Sequence, residues 1–269
     1  MIRNITEQRK REFLDAAIEA ARRGGDKLIE WMGKVDVSEK GPRDLVTQAD
    51  FESQQAISDF LLAQFPDHEF LGEESTDKSL VSKPDLFCWV VDPLDGTVNY
   101  VHQLNSFSVS IALRYGGETI VGVVFDPVIG EMFSAVAGGG ARLNGKPVSH
   151  SKCTELEKAL VVCSFSSSAN RDQPEVERFL RVLGKAGSIR RLGSAALNLC
   201  FVACGRSDAY WSTGLNCWDI AAGWLILTEA GAVMKTIEGG EVDFFEPKFC
   251  AAATEEIFLA MQEHLLIED

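Results

Sequence analysis

The chain has 269 residues, 46% of them apolar, and 40 acidic against 26 basic side chains give it a formal charge of -14. That balance argues against a nucleic-acid backbone as a partner, which calls for a basic surface, and no apolar run nears the roughly 20 residues of a membrane span, Glu229 interrupting the best candidate. Seven cysteines without a C-x-x-C pair, four histidines and a charged start (MIRNITEQRKRE) argue against a disulfide framework, a zinc site and a signal peptide, so a cytoplasmic chain is expected, folded as a single domain over 1–269 with two closely packed lobes, about 1–145 and 146–269.

Apolar residues at helical spacing from Glu7 to Trp31 predict an amphipathic helix, weakened at Gly24-Gly25. The polar segment from Val35 to Leu45, with Gly41-Pro42, predicts a loop. Thr47 to Asp50 opens a second helix with Ile57, Phe60 and Leu61 on its apolar face. After Pro66 a short strand ends at Gly72-Glu73-Glu74, and Phe87 to Val91 forms a second, buried strand. SFSVSIALRY, TIVGVVFD and GEMFSAVA predict an antiparallel meander that serves as scaffold. Asn144-Gly145 marks a tight hairpin turn, and the neighbouring glycines lack the order of a phosphate-binding P-loop.

From Ala159 onward strands and helices alternate. ALVVCSF is a strand, PEVERFLRVLG a helix, GSIRRL a strand, and Ser194 caps a helix that Gly205 stops. Asp208 to Trp211 is a strand. The stretch from Asp219 to Ala230 is apolar almost all round and predicts a helix buried at the centre of the fold. A strand at Phe249 to Ala252 and a helix from Thr254 to Leu266 close the chain.

The chemistry concentrates at Asp92-Pro93-Leu94-Asp95-Gly96-Thr97, where the buried strand ends. Pro93 and Gly96 allow a sharp bend that holds Asp92 and Asp95 on one side as a cradle for a cation, and the amides of Gly96 and Thr97 can meet a phosphate. The same hexapeptide also reads as an ordinary turn. Three other acids have ordinary readings. Asp50 pairs with Thr47 as a helix cap and Asp219 caps a helix, while Glu73 is solvated or, if its strand ends at the same sheet edge, reaches the cations. With so few histidines, any metal site must be mainly oxygen, which favours Mg²⁺ or Mn²⁺.

Taken in order, an Asp after DLVT, the Glu73-Glu74 pair, DPLDGT and Trp218-Asp219-Ile220-Ala221-Ala222-Gly223 resemble the inositol monophosphatase family of Mg-dependent, lithium-sensitive phosphatases along nearly the whole chain. The resemblance implies an α+β fold, a layered αβαβα sandwich with mixed, largely antiparallel sheets, and a homodimer. It implies metal ligation by Glu73, Asp92, the Leu94 carbonyl, Asp95 and Asp219, with two or three Mg²⁺ per site and Mn²⁺ as a substitute. Glu73 and Thr97 would orient the attacking water, Asp50 would support Thr97, and the amides of Gly96 and Thr97 would hold the phosphoryl oxygens. Gly193, Ser194 and Ala195 match the family's substrate-side loop, and Asp219 meets the leaving-group oxygen.

Magnitudes agree with metal chemistry. Phosphate monoester hydrolysis needs acceleration of up to ~10²¹, whereas a positioned acid or base contributes roughly 10²–10⁴. Carboxylates about 4 Å apart repel by about 4 kcal/mol at an effective dielectric of 20, so the cluster needs protons or cations. The resemblance implies a small phosphate ester as substrate, with inositol 1-phosphate first. Histidinol phosphate, fructose 1,6-bisphosphate and nucleoside 3′,5′-bisphosphates are alternatives, and a binding protein for the transcription machinery is a reading of another class. Ser212 stands where the family's inositol-contacting Glu is expected.

Overall fold

The computed structural model describes residues 5–34, 37–41, 44–74, 85–165 and 169–267. The first helical pattern forms α1 (Glu7–Trp31), capped by Thr6, whose hydroxyl accepts from the amide of Arg9 at 3.2 Å. It packs on α2 (Gln48–Gln64). Gly24 and Gly25 do not break α1. A β-carbon on Gly24 would lie 2.7 Å from Ile57 Cδ1, and one on Gly25 would lie 2.7 Å from Phe125 Cε1. The pair lets the helix sit close to α2 and the sheet, packing that sets off a propensity loss of about 1 kcal/mol per glycine.

The expected loop between these helices is instead a hairpin. β1 (Val37–Gly41) and β2 (Asp44–Thr47) pair antiparallel with an irregular register between Glu39 and Gly41; residues 35, 36, 42 and 43 lie outside the described residues. A hairpin satisfies its backbone across its own turn, so it can form without the apolar alternation that marks a buried strand.

Seven strands form the first sheet, in the order β3 (Glu69–Gly72), β4 (Cys88–Asp95), β5 (Ser108–Tyr115), β6 (Glu118–Asp126), β7 (Glu131–Val136), β8 (Ala141–Leu143) and β9 (Lys146–Pro147). β3 and β4 run parallel; every other neighbouring pair is antiparallel. The meander is as expected, and Asn144 (φ 48°) and Gly145 (φ 76°) make its last turn with the two left-handed residues of a primed hairpin. The second sheet is mixed, in the order β11 (Ser188–Arg190), β10 (Leu160–Ser164), β12 (Ala209–Ser212), β14 (Phe249–Ala252) and β13 (Val233–Lys235), with β10 parallel to both neighbours.

Helices separate and cover the sheets. α1 and α2 lie on one face of the first sheet; α5 (Ala195–Ala203) and α6 (Cys217–Glu229) lie on its other face and contact the second sheet; α4 (Pro174–Leu183) and α7 (Glu255–Leu265) cover the far side. Three apolar clusters fill the gaps: Phe13, Leu28 and Trp89 under α1, Leu199, Tyr210 and Ile226 around the central helices, and Trp211, Ile257 and Phe258 under α7. This is the five-layered α+β sandwich, with mixed sheets, that the resemblance implied. α6, whose Ile220, Ala222, Ile226 and Leu227 are fully buried, lies in the middle layer as its all-round apolar sequence requires. The seven cysteines form no disulfide, and no helix of the described residues is long and apolar enough to cross a membrane.

Candidate active site

β3 and β4 run parallel with Gly72 beside Val91, so both end at one edge, and the amide of Glu73 donates to the carbonyl of Val91 at 3.0 Å. That bond sets Glu73 next to Asp92. On a regular strand Asp92 and Asp95, three residues apart, would point to opposite faces. The register decides otherwise. Asp92 pairs with Ser110 and Asp95 with Ser108, so β4 carries one residue more than β5 between these pairs. The bulge restores both carboxylates to one face, which the sequence suggested would take a turn. The amide of Leu94 donates to Asp92 Oδ1 at 3.0 Å and fixes its rotamer. The bend itself comes at Gly96, whose φ of 98° and close approach to the Ser106 carbonyl leave no room for a side chain. α3 (Thr97–Val101) starts there.

Asp219 arrives from the other side of the sheet. It is the third residue of α6, not its cap: Asn216 is the cap, and the Asn216 amide donates to Asp219 Oδ2 at 2.7 Å. Ser110 Oγ, 3.4 Å from the carbonyl oxygen of Trp218, ties this helix start to β5. Asp92, Asp95 and Asp219 each place a carboxylate oxygen within 4.8 Å of the other two. Asp92 and Asp95 are buried and Asp219 half-buried. Burial, then the charges of Glu73, Asp95 and Asp219, hold the Asp92 carboxyl well above the usual range. Burial, then Asp95 and Glu73, lift Asp219 to about 8. Glu73 thus acts on the cluster electrostatically, although it stands outside the closest trio.

Asp95 has a second set of partners. Its Oδ1 accepts from the amide of Ala195 and its Oδ2 from that of Ala196, both at 2.9 Å, and Oδ2 also accepts from the hydroxyls of Ser194 and, at 3.3 Å, Ser108. One carboxylate therefore caps the first turn of α5 from a different layer of the fold. These bonds favour the ionised form, yet burial still raises the Asp95 carboxyl. Ser194 and Ala195 are consequently turned inward to Asp95; of the expected substrate-side trio, Gly193 alone is exposed. Its φ of 95° brings it against Asn99, whose Nδ2 would meet a β-carbon there at 2.5 Å and donates to the Leu192 carbonyl at 2.7 Å.

Three further expectations change. Asp50 is the buried third residue of α2, and its Oδ2 accepts from the amide (2.8 Å) and hydroxyl (2.7 Å) of Thr47. The Thr97 hydroxyl donates to the Leu94 carbonyl at 3.1 Å, so its proton does not go to Asp50. Ser212 is fully buried at the end of β12, with no hydrogen-bond partner for its hydroxyl among the described residues, and cannot touch a solute where it lies. Sequence reasoning also passed over Ser106, Ser108 and Ser110, whose hydroxyls reach Leu192, Asp95 and Trp218. Their signal was in plain view: serines at every second position put three hydroxyls on one face while Phe107 and Val109 enter the core on the other.

The cluster suits a hard divalent cation. Its donors are carboxylate oxygens, they repel one another in a buried place, and their raised pKa values show the cost of leaving their charge unneutralised. The layered αβαβα fold and its acid cluster together point to a phosphatase. A profile of the inositol monophosphatase family matches residues 9–266, and the chain belongs to that family. It is 40% identical over 250 residues to inositol monophosphatase 1 of Solanum lycopersicum, covering 89% of this chain and 90% of the relative. It is 38% identical over 245 residues to Nus factor SuhB of Pasteurella multocida, covering 90% and 91%. Among solved structures, the Thermotoga maritima IMPase superposes with a TM-score of 0.86 at 34% identity, covering 94% of this chain and 96% of that one. An IMPase/NADP phosphatase complexed with Mg²⁺ and phosphate gives 0.80 at 26% identity, covering 91% of each chain.

Proposed function

We propose that this phosphatase hydrolyses the phosphomonoester of a small polyol or sugar, with inositol 1-phosphate the first candidate, using Mg²⁺ held by Glu73, Asp92, Asp95, Asp219 and the Leu94 carbonyl. The observation that carries the reading is the meeting of Asp92, Asp95 and Asp219 within 4.8 Å, and the Mg²⁺-and-phosphate complex of a structural relative supports the choice of ion. When bound, Mg²⁺ supplies the positive charge that offsets the carboxylates, acidifies water and stabilises the departing alkoxide. Two or three ions per site, with Mn²⁺ as a substitute, suit the number of donors.

The protein's own groups do the positioning. Glu73 and Thr97 orient the attacking water. The amides of Gly96 and Thr97, at the bend where the chain leaves the sheet, hold phosphoryl oxygens. Asp219 stands on the leaving-group side, and Gly193 offers its backbone to the sugar. Asp50, bound to Thr47, steadies the start of α2 beneath this edge. Because Ser212 stands where the family resemblance implies an inositol-contacting Glu, sugar phosphates and bisphosphates compete as substrates. We take the working unit to be one phosphatase domain of two lobes, about 1–145 and 146–269, dimeric and cytoplasmic.

Phosphate release across a panel of these esters tests the reading. Activity should need Mg²⁺, disappear in EDTA, fall with Li⁺ and be lost in Asp92→Asn. Release unaffected by EDTA or by Asp92→Asn would overturn it. The likeness to a relative named a Nus factor favours one second reading, contact with transcription machinery; an Asp92→Asn chain that still binds that machinery would support a role separate from hydrolysis.

A further inference from the structure

Arg114 lies near the end of β5, six residues beyond the Ser108 that meets Asp95, or about 20 Å along the strand. Few of its donors are used. Nη2 donates to the carbonyl of Gly117, Nε is sealed from solvent without a partner, and Nη1 meets no acceptor among the described residues. The guanidinium carbon sits 3.3 Å from the centroid of the Phe244 ring. Among the described residues no carboxylate pairs with it. The titratable groups near it are the thiols of Cys88 and Cys217, and burial pushes its pKa down to about 10. In a chain with 40 acidic residues, a part-buried cation without a counter-charge is unexpected.

Beside this cation lies a cavity of about 320 Å³, lined by Arg114, Trp224, Leu225, Thr228, Val242 and Phe244. Glu118 stands at its exposed rim and makes no ion pair with Arg114. The volume is at the small end for a ligand pocket. Its chemistry is one positive group at the edge of an aromatic and aliphatic wall, with the Glu118 carboxylate outside at the exposed rim. A phosphate monoester, bearing close to two charges at pH 7, would find one cation and an apolar surface that cannot replace its water. A carboxylate matches the single guanidinium, and a flat ring matches the wall.

We propose that this cavity is a second binding site, separate from the acid cluster, for a small aromatic carboxylate whose anionic end pairs with Arg114 and whose ring lies against Trp224, Leu225 and Val242. The ligand would give Arg114 the counter-charge that the fold withholds and would cover apolar surface now open to water. Because Trp224 and Leu225 belong to α6, whose first turn carries Asp219, an occupant would rest on the helix that completes the acid cluster.

Calorimetric titration of the full chain in EDTA with hydrocinnamate tests this. The expected result is saturable binding with a Kd on the order of 1 mM, reasonable for so small a ligand. The neutral hydrocinnamide should bind at least tenfold more weakly, and inorganic phosphate should not compete. Arg114→Gln should abolish binding. Should that variant fail to fold, Thr228→Glu decides, since it adds a negative charge at the rim and should weaken binding about fivefold or more, whereas Thr228→Gln should not. Asp92→Asn should bind hydrocinnamate as tightly as the parent, which keeps this site distinct from the catalytic one. Equal affinity for acid and amide, no saturation, or an unchanged Kd in Thr228→Glu would overturn the proposal.

Discussion

The first turns of α2 and α6 are built alike. Each has a polar cap residue, Thr47 or Asn216, and an aspartate three positions on, Asp50 or Asp219, whose Oδ2 accepts from the cap amide at 2.8 or 2.7 Å. Their surroundings differ. Asp50 is buried beside the Thr47 hydroxyl, which also bonds its Oδ2, whereas Asp219 keeps an oxygen within 4.8 Å of two other carboxylates. The same local chemistry serves a helix end in one place and a carboxylate cluster in the other. What sets Asp219 apart is the pair of carboxylates that the bulge in β4 turns to one face, about 125 residues earlier in the chain.

Substitution at the two aspartates should break the likeness most sharply. Asp219→Asn should cut phosphate release about 10²–10³-fold, the size of loss seen when a transition-state electrostatic partner is removed, while raising the melting temperature in EDTA at pH 8, because a negative charge beside two buried carboxylates has gone. Asp50→Asn should do the reverse, lowering stability by about 1 kcal/mol, or about 2–4 °C, with a much smaller fall in rate. Steady-state kinetics and calorimetry on both variants measure this, and equal effects would show that the two turns do the same work.

A smaller effect follows from pH. The raised carboxyls mean that the cation-free folded chain holds protons that the unfolded chain releases near pH 4, up to the Asp219 value of about 8. Its stability in EDTA should therefore fall as pH rises through that window. Added Mg²⁺ should raise the melting temperature more at pH 8 than at pH 5, since protons compete for the same oxygens. A Mg²⁺ shift independent of pH would separate the cation from the acid cluster. The smallest change is expected for Ser194→Ala, which removes both the α5 cap and one hydroxyl from Asp95: about 1 kcal/mol of stability and a few-fold weaker Mg²⁺ half-saturation.

Much of this is legible in the sequence alone. The Thr47–Asp50 cap, the meander, the Asn144-Gly145 turn, the Ser194 cap and the buried character of α6 all follow from patterns within a dozen residues. The layered fold was legible through the family resemblance, which also named the three aspartates that the fold brings within 4.8 Å of one another. What escaped the sequence depends on register or on distant pairing. A bulge is a mismatch between two strands, so neither strand announces it alone. The hairpin of β1 and β2 falls in a stretch whose sequence lacks the apolar alternation of a buried strand. The amides that Asp95 receives lie 100 and 101 residues further on, and the Gly138 and Gly140 amides are received at 2.7 and 2.8 Å by Glu229, some 90 positions away. Ser212 could be compared with a family pattern, but its complete burial could not be foreseen.

The division of the acid cluster between early and late parts of the chain bears on how the molecule is made. Asp92 and Asp95 leave the ribosome together, but the helix end that Asp95 caps follows about a hundred residues later and Asp219 another two dozen beyond that. During synthesis the early acids are a half-site, without the third carboxylate and without the amides that orient Asp95. A prematurely terminated product that stops before α6 would therefore carry the most recognisable motif of the sequence without the third carboxylate of the cluster.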